Sequence, residues 1–305
     1  MKVSLVIMAA GMGSRYGGSK QVDGIGPHRE ILMEYSIYDA LRAGFNKVVF
    51  IIKPEMEPML RELCGDYLAK KTALDGSPVE VAYAAQDFSS VPDFYSIPQG
   101  RTKPFGTVHA LLCASAAVHE PFCVINADDY YGMDAYQTMY NELVKLPPRG
   151  RATMVGYELD KTASLHGTVS RGVCTVAGGN LASVREALKV QLYADGTLRD
   201  LAEDRPLAPE TVVSMNFWGF APSIFPALQA YFERFLRQEA GENVKAECLL
   251  PVMVGEELQA GRLEVSVLHS DARWFGMTYQ EDRAVVAAEL RRLHDSGAYP
   301  ADLRS

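Results

Sequence analysis

The chain has 305 residues, of which 48% are hydrophobic and 22% charged, a balance typical of an α/β protein with a sizeable core. Its formal net charge of -8 argues against a nucleic-acid partner, and no apolar run has the length of a membrane span. Five scattered cysteines without a Cys-x-x-Cys motif predict reduced thiols in a cytoplasmic protein. The apolar start looks like a weak signal peptide. We reject that interpretation, because cleavage would remove the first predicted strand or its loop.

The first predicted element is Val3 to Met8, a short apolar run typical of a strand buried on both faces of a parallel sheet. A glycine-rich loop follows at once, and it carries two cations, Arg15 and Lys20. Glycines let backbone N–H groups approach an anion closely, and the two cations would neutralise its charge. Such a loop at the carboxyl end of a strand is typical of a phosphate-binding site.

Two common phosphate-binding motifs do not fit this loop. The dinucleotide motif Gly-x-Gly-x-x-Gly fails because Tyr16 stands where the third glycine belongs, which disfavours a nicotinamide oxidoreductase. The P-loop needs Gly-Lys followed by Ser or Thr, whereas Lys20 is preceded by Ser19 and followed by Gln21. The remaining alternative is a glycine-rich surface turn without function. We prefer the phosphate site, because two cations among four glycines directly follow a buried strand.

Strands and helices alternate through the first half of the chain. Strands are predicted at 3–8, 48–52, 79–84, 122–125 and 152–158, and helices at 31–43, 54–74, 105–118 and 135–146. This alternation predicts a Rossmann-like α/β fold with a mainly parallel sheet flanked by helices.

The second half has a different pattern. A β-hairpin is predicted from 167–176 and 181–186, around a Gly-Gly-Asn turn, and further strands at 212–220 and 263–268. Helices are predicted at 224–237, 246–258 and 280–294. The sequence shows neither an internal repeat nor a low-complexity linker, so we predict one continuous domain over residues 1–305.

Carboxylates follow the fourth predicted strand directly, at Asp128 and Asp129. Side chains at the carboxyl ends of parallel strands face the same crevice, so this pair is expected near the first loop. A hard cation such as Mg²⁺ would take carboxylate oxygens together with phosphate oxygens. An Asx turn that closes the strand is the alternative. The phosphate loop in the same crevice favours the metal.

The loop resembles the opening motif of the sugar-1-phosphate nucleotidyltransferase family, an Ala/Gly-rich turn, Gly-x-Gly-Ser/Thr-Arg and a later Lys-Gln. The matching residues are Ala9 to Arg15 and Ser19 to Gln21. The resemblance implies a GT-A-like nucleotidyltransferase fold and a loop that holds a nucleoside triphosphate. In it, Arg15 and Lys20 would be catalytic residues on the phosphates. The other implied loop contacts are Ala10, Gly11, Gly13 and Ser14.

Other family motifs recur further along the chain. Ala127-Asp128 matches a Gly/Ala-Asp motif, which implies that Asp128 is a catalytic Mg²⁺ ligand and leaves Asp129 secondary. Gln86 matches a glutamine that contacts a pyrimidine base in the family. The alternative is that Gln86 is a solvated loop residue without this role. The Gly-Thr motif beside the nucleoside matches Gly106 and Thr107. The implied sugar contacts are Gly167, Glu186 and Asn216. For Glu186, the alternative is an exposed charge at the end of a strand.

Two of the departures from the family pattern concern the later motifs. The connection between Gln86 and Gly106 is unusually long, and its aromatic residues are expected either to cover the base or to contact a second subunit of a homo-oligomer. The family commonly carries Trp-x-Asp-x-Gly near its end, with the Asp as second metal ligand, but Gly276 stands at that position. The candidates to replace it, besides water, are Asp271, Glu281 and Asp282.

The resemblance implies a reaction in which a nucleotidyl group passes from an NTP, with UTP or dTTP preferred, to a sugar 1-phosphate. It divides the domain into a nucleotide-binding half at 1–165 and a sugar-phosphate-binding half at 166–305. A cytidylyltransferase for phosphocholine or another small phosphate is the alternative within this chemistry. A non-catalytic nucleotide or NDP-sugar sensor is the alternative from another class.

Overall fold

The residues that the structure, a computed structural model, describes are 1–11, 24–276, 279 and 281–304. The strands are β1 (Ser4–Met8), β2 (Lys47–Ile52), β3 (Glu80–Ala85), β4 (Phe122–Asn126), β5 (Asp129–Tyr130), β6 (Arg151–Glu158), β7 (Val169–Ala177), β8 (Asn180–Leu192), β9 (Leu198–Asp200), β10 (Arg205–Leu207), β11 (Val212–Phe220), β12 (Glu264–His269) and β13 (Phe275–Gly276). The α-helices are α1 (Leu32–Ala43), α2 (Glu57–Leu60), α3 (Asp66–Leu68), α4 (Thr107–Cys113), α5 (Met133–Leu143), α6 (Phe225–Phe235), α7 (Leu250–Gln259) and α8 (Asp282–Asp295).

Eleven of these strands form one mixed sheet, in the order β10-β9-β8-β12-β6-β11-β4-β1-β2-β3, with β7 paired to β11 and β8. The first-half strands β3, β2, β1 and β4 are parallel, as predicted, and β12 pairs parallel with β6. The prediction of a mainly parallel sheet is not confirmed, because the other strand pairs of this sheet are antiparallel. The cause is the short connections β7–β8, β8–β9 and β9–β10, because a tight turn can join only antiparallel neighbours.

Helices cover both faces of the parallel strands. Along β1, Leu5 and Ile7 point into one apolar cluster with α1 and α5, while Val6 points into another with α4 and α6. All three side chains are completely buried. Because β1, β3 and β4 end at the same edge of the sheet, the loops that follow them meet there.

The two predicted halves of the chain share this sheet. β11 and β12, which come late in the chain, pair on either side of β6, and β11 also pairs with β4. The small β5–β13 sheet likewise joins a first-half strand to a second-half strand. The groups that follow the parallel strands therefore lie next to strands from the hairpin region.

Most predicted elements agree with the structure in position and type, and three helices differ in extent. The helix predicted at 105–118 is confined to α4, and the one predicted at 54–74 is a series of short helical turns that ends at Leu68. The helix predicted from residue 246 begins only at Leu250, because the preceding residues bond to the main chain before α4. In the part of the chain that the structure describes, no helix combines the length and apolar character needed to cross a membrane.

Candidate active site

A cavity of about 660 Å³ opens where the loops after β1, β3 and β4 meet the hairpin strands. Most of the predicted site residues that fall within the described ranges line this cavity. They are Ala10, Gly11, Gln86, Gly106, Thr107, Asp128, Glu186 and Asn216. Of the predicted residues in those ranges, Gly167 alone does not line it, and its Cα instead packs against the ring of Tyr279. The predicted loop residues Gly13, Ser14, Arg15 and Lys20 lie outside the described residues.

The carboxylates Asp128 and Asp129 lie at the end of β4, in the wall of the cavity. Asp129 is 8% exposed, and its Oδ2 accepts a hydrogen bond from Asn126 Nδ2 at 2.8 Å and lies 3.2 Å from the Tyr131 hydroxyl. Burial, together with the neighbouring Asp128 charge, raises the pKa of the Asp129 carboxyl above its ordinary value. These contacts fix Asp129 in the wall beside Asp128.

Gly276 lies directly opposite Asp129, because the two residues pair across the β5–β13 sheet. A Cβ added to Gly276 would come within 2.5 Å of Asp129 Oδ1 and 2.8 Å of the Trp274 ring. The Asp129 carboxylate thus fills the space that a side chain at residue 276 would need. None of the three sequence-level candidates for a second carboxylate is among the described residues that line the cavity. Asp282, for example, accepts a hydrogen bond from the backbone N–H of Tyr279.

One side of the cavity, which we call the strand-end wall, is formed by residues that follow parallel strands or stand at the start of α4. These residues are Ala10, Gly11, Gln86, Gly106 and Thr107. Gln86 is 7% exposed, and its Nε2 donates to the Gly106 carbonyl at 3.2 Å. Gly106 has φ 88° and ψ -163°, a conformation that is essentially restricted to glycine. A Cβ at Gly106 would also lie 2.9 Å from the Cys248 carbonyl. The backbone of this wall is therefore tightly constrained.

The segment before α7 holds the strand-end wall in place. Cys248 N–H donates to the Phe105 carbonyl at 2.7 Å, and its own carbonyl accepts from Val108 N–H at 3.1 Å. The Leu250 N–H donates to the Thr107 hydroxyl oxygen at 2.7 Å. The hydroxyl oxygen predicted to lie beside a nucleoside thus also has a structural hydrogen bond.

The long connection between Gln86 and Gly106 packs mainly outside the cavity. Phe88 and Tyr95 contact the buried Phe105 ring edge-on, and Phe94 lies under the Arg237 guanidinium at 3.7 Å. None of these three aromatic residues lines the cavity within the described chain. They are therefore not placed to cover a base, and the expectation of a subunit contact stays a prediction.

His109 is completely buried in α4. Its ring stacks on Phe232 at 5.1 Å, and its Nε2 lies 2.8 Å from the Ser90 hydroxyl. Burial lowers the pKa of His109 to about 4, so the ring is neutral near pH 7. The His109 ring therefore packs within the core and is not among the described residues that line the cavity.

On the opposite side of the cavity, Gly172, Glu186, Ser214 and Asn216 form what we call the hairpin wall. β11 bulges between Ser214 and Trp218, and Asn216 takes φ 60°, a left-handed conformation that is uncommon outside glycine. Its Nδ2 donates to Asn126 Oδ1 at 3.5 Å, whereas its Oδ1 is buried without a hydrogen-bond partner among the described residues. Burial raises the pKa of the Glu186 carboxyl, against the opposing effect of Arg171. The hairpin wall therefore offers hydrogen-bond acceptors to a ligand with hydroxyl groups.

Several cavity residues were not identified from the sequence, among them Lys53, Lys103 and Arg171. Lys53 directly follows β2, a strand-end position that the sequence order could have indicated, whereas Lys103 ends the long connection that precedes α4. The Arg171 guanidinium lies over the Trp274 ring, 5.1 Å from its centroid. Arg171 carried no local sequence signal as a cavity residue, whereas Trp274 is the tryptophan of the family motif in which Gly276 stands in place of Asp. The Trp274 Nε1 is buried without a hydrogen-bond partner among the described residues. Lys53, Lys103 and Arg171 bring positive charge to a cavity that also contains several carboxylates.

Comparisons with known proteins find a family profile that covers most of the chain. The sequence profile described as Nucleotidyl transferase matches residues 4–239, which include β1, the carboxylates and the hairpin wall. No relative by sequence was found among the curated proteins.

Several solved structures share the fold over nearly their whole length. A putative glucose-1-phosphate thymidylyltransferase from Bacillus anthracis, in complex with a sucrose, is 13% identical, with a TM-score of 0.62 over 99% of this chain and 98% of that one. The inositol-1-phosphate CTP transferase from T. maritima is 10% identical, with a TM-score of 0.59 over 94% and 96%. A UDP-glucose pyrophosphorylase complexed with UDP-glucose is 16% identical, with a TM-score of 0.55 over 97% and 100%. At these identities the likeness concerns the fold.

Proposed function

This chain belongs to the nucleotidyl transferase family, and on that premise we propose that it is a sugar-1-phosphate uridylyl- or thymidylyltransferase. A phosphate oxygen of the sugar 1-phosphate attacks the α-phosphorus of UTP or dTTP. The bond from that phosphorus to the bridging oxygen of the β-phosphate breaks, and pyrophosphate leaves with the electron pair. The products are an NDP-sugar and pyrophosphate.

One observation carries this proposal, the meeting of two chemically different walls in a single cavity. The strand-end wall presents backbone groups and the Gln86 amide, which suit a nucleotide. The hairpin wall contains Glu186 and Asn216, whose buried Oδ1 has no hydrogen-bond partner among the described residues, and both side chains can accept hydrogen bonds from sugar hydroxyls. Asp128 and Asp129 lie in the same cavity. This arrangement supports a reaction that joins a nucleotide to a polyhydroxylated phosphate.

Positioning and charge neutralisation supply the rate in such a reaction, and no side-chain nucleophile is required. We assign Lys20 to the charge that develops on the transferring phosphate and Arg15 to the leaving pyrophosphate. Gln86 pairs with the edge of the base, and Glu186 and Asn216 accept hydrogen bonds from the sugar. We assign Gly167 no direct sugar contact, because Gly172 lines the cavity and Gly167 does not.

The donor set at the end of β4 fits Mg²⁺. Asp128 and Asp129 offer carboxylate oxygens, and Mg²⁺ usually takes one or two carboxylates together with substrate phosphates. Among the described residues, no group of three or more His, Cys, Asp or Glu is close enough to bind a metal without a substrate. We assign Asp128 as the principal ligand and Asp129, which fills the space beside Gly276, as the second carboxylate. When bound, the ion neutralises charge on the phosphate oxygens.

A second candidate is cytidylyl transfer to phosphocholine or another small phosphate. The fold of the inositol-1-phosphate CTP transferase is similar over nearly the whole chain, and the hairpin wall would accept the hydroxyls of any polyol. The alternative of a non-catalytic sensor predicts nucleotide binding without pyrophosphate release.

A matrix of triphosphates against phosphorylated acceptors tests the proposal. UTP, dTTP, CTP, GTP and ATP are each combined with glucose 1-phosphate, other sugar 1-phosphates, inositol 1-phosphate and phosphocholine, and pyrophosphate release is measured with and without EDTA. We expect Mg²⁺-dependent release with UTP or dTTP and a sugar 1-phosphate. Release only with CTP supports the second candidate. Tight nucleotide binding with no release from any pair would establish the sensor.

A further inference from the structure

Arg101 lies near the end of the long connection before Gly106, and it is only 6% exposed. Its guanidinium stacks on the Phe105 ring at 3.6 Å. It donates hydrogen bonds to four main-chain carbonyls, those of Lys103 at 2.9 Å, Pro104 at 3.1 Å, Asn243 at 3.1 Å and Ala246 at 2.7 Å. One side chain thus binds the main chain of two segments that are far apart in the sequence.

These two segments form adjoining parts of the cavity. The first continues from Lys103 into Gly106 and Thr107 of the strand-end wall, and the second continues into Glu247 and Leu249, which also line the cavity. Cys248 and Phe105 join the segments a second time through their main chains. Arg101 therefore determines where this side of the cavity lies.

The chemistry of the Arg101 contacts indicates a need for accurate placement. Removing a guanidinium from water is costly, and apolar packing of the same volume is often at least as stable. The planar fork, however, fixes the direction of several hydrogen bonds at once, which apolar packing does not do. The backbone of Lys103 is held in this way while its side chain stays exposed at the cavity.

We propose that Arg101 is a positioning residue for the nucleotide site and that it presents the Lys103 ammonium to an acceptor oxygen of the bound nucleotide. The inference rests on the proposed function and adds to it a cation that lies outside the glycine-rich loop. Lys103 is three residues before Gly106, whose carbonyl is bonded to Gln86, so the ammonium is expected on the nucleotide side of the cavity. The aromatic part of the connection then serves to pack Phe105 under the guanidinium.

The test is a double-mutant cycle of Arg101→Gln and Lys103→Gln, with nucleotide affinity measured by calorimetry and steady-state rates measured for both substrates. Lys103→Gln is expected to raise KM for the triphosphate about tenfold or more, the usual effect of losing a charged hydrogen bond. The kcat and the KM for the sugar phosphate should change little. Arg101→Gln should give the same selective rise, and the double variant should add little, because both changes remove one contact.

Arg237→Gln is the matched control, because Arg237 stacks on Phe94 of the same connection and does not line the cavity within the described chain. We expect its kinetics to equal those of the wild type. Arg101→Lys, which keeps the charge but not the fork, should fall between wild type and Arg101→Gln, and it replaces Arg101→Gln if that variant does not fold. Binding of uridine and UMP then assigns the Lys103 contact to the base, the ribose or the phosphates.

If Lys103→Gln binds the triphosphate as tightly as the wild type does, the inference is overturned. The proposed function is unaffected by that result as long as the wild type is active. Fully additive effects of the two substitutions overturn the positioning role of Arg101. A wild type that binds none of the triphosphates overturns the inference and the proposed function together.

Discussion

The two walls of the cavity are built in different ways. The strand-end wall consists of residues that directly follow parallel strands or precede a helix, and much of it is backbone. The hairpin wall consists of residues in the interior of antiparallel strands, which face the cavity mainly through their side chains, and it depends on a bulge in β11. A wall of backbone groups tolerates few shape changes, whereas a wall of side chains can change its hydrogen-bonding pattern without changing the fold. We therefore expect nucleotide choice to be the more constrained property and acceptor choice the more adaptable one.

Asp128→Asn tests the Asp128 carboxylate, which lies in the same cavity as both walls, and we expect it to cause the largest loss of turnover. The amide keeps the shape but loses the charge that a hard cation needs. Turnover should fall on the order of a hundredfold or more, since the charge stabilisation by a metal is worth several kcal/mol. The measurement is initial rate against Mg²⁺ concentration, together with Mn²⁺ binding followed by EPR.

Asp271→Asn is the control for this change, because the side chain of Asp271 is 96% exposed and lies outside the cavity lining of the described chain. Asp129→Asn should have a smaller effect than Asp128→Asn, since Asp129 Oδ2 already accepts a hydrogen bond from Asn126. Superimposable Mg²⁺ titrations for wild type and Asp128→Asn would remove Asp128 from the metal site.

Glu186→Gln should affect the acceptor and not the nucleotide. A hydrogen bond to a charged group contributes roughly 1.5–3 kcal/mol, so kcat/KM for the sugar phosphate should fall about tenfold to a hundredfold. The KM for the triphosphate should stay constant. Lys189→Gln, an exposed change of one charge on the same strand β8, serves as the control. A parallel loss for both substrates would contradict the division into two walls.

Gln86→Ala tests the strand-end wall through base choice. Gln86 offers a donor and an acceptor on one planar group, which suits a uracil or thymine edge. Wild type should prefer UTP or dTTP, and the variant should narrow that preference by up to roughly a hundredfold, because an unpaired polar edge costs about 1–3 kcal/mol. The kcat/KM values for all five triphosphates decide the outcome. A wild-type preference for GTP or ATP would place base recognition elsewhere.

Much of the strand-end wall could be predicted from the sequence, and the physical reason is locality. The parallel strands β3 and β4 are largely apolar runs whose ends mark the cavity edge; Gln86 directly follows β3, and Asp128 lies two residues after β4. The resemblance to a known family supplied their roles. Residues that enter the cavity through long-range pairing are different. The Asp129–Gly276 contact depends on the β5–β13 pair, which joins residues more than a hundred positions apart and leaves no local pattern.

The hairpin wall shows the same limit. Simple alternation along β11 does not give the direction of Asn216, because the bulge shifts the register between its partners. The family pattern also pointed to Gly167, whereas Gly172 is the hairpin glycine that lines the cavity. Arg171 was missed because a charged residue inside a strand ordinarily indicates an exposed face, and here it is 7% exposed and bonded to Thr162.

Asn216→Gly should give the smallest kinetic effect of these substitutions. It also distinguishes the role of the Asn216 amide from that of the backbone conformation at this residue. Glycine accepts φ 60° without strain, so the bulge should survive while the amide is lost. A neutral hydrogen bond contributes about 0.5–1.5 kcal/mol, so KM for the sugar phosphate should rise roughly twofold to tenfold with the melting temperature nearly unchanged. Asn216→Ala removes the same amide but leaves a Cβ in the left-handed region, so it should also lower the melting temperature. If Asn216→Gly leaves the acceptor KM unchanged, the buried Oδ1 does not bind the acceptor, and the role of Asn216 is to shape β11.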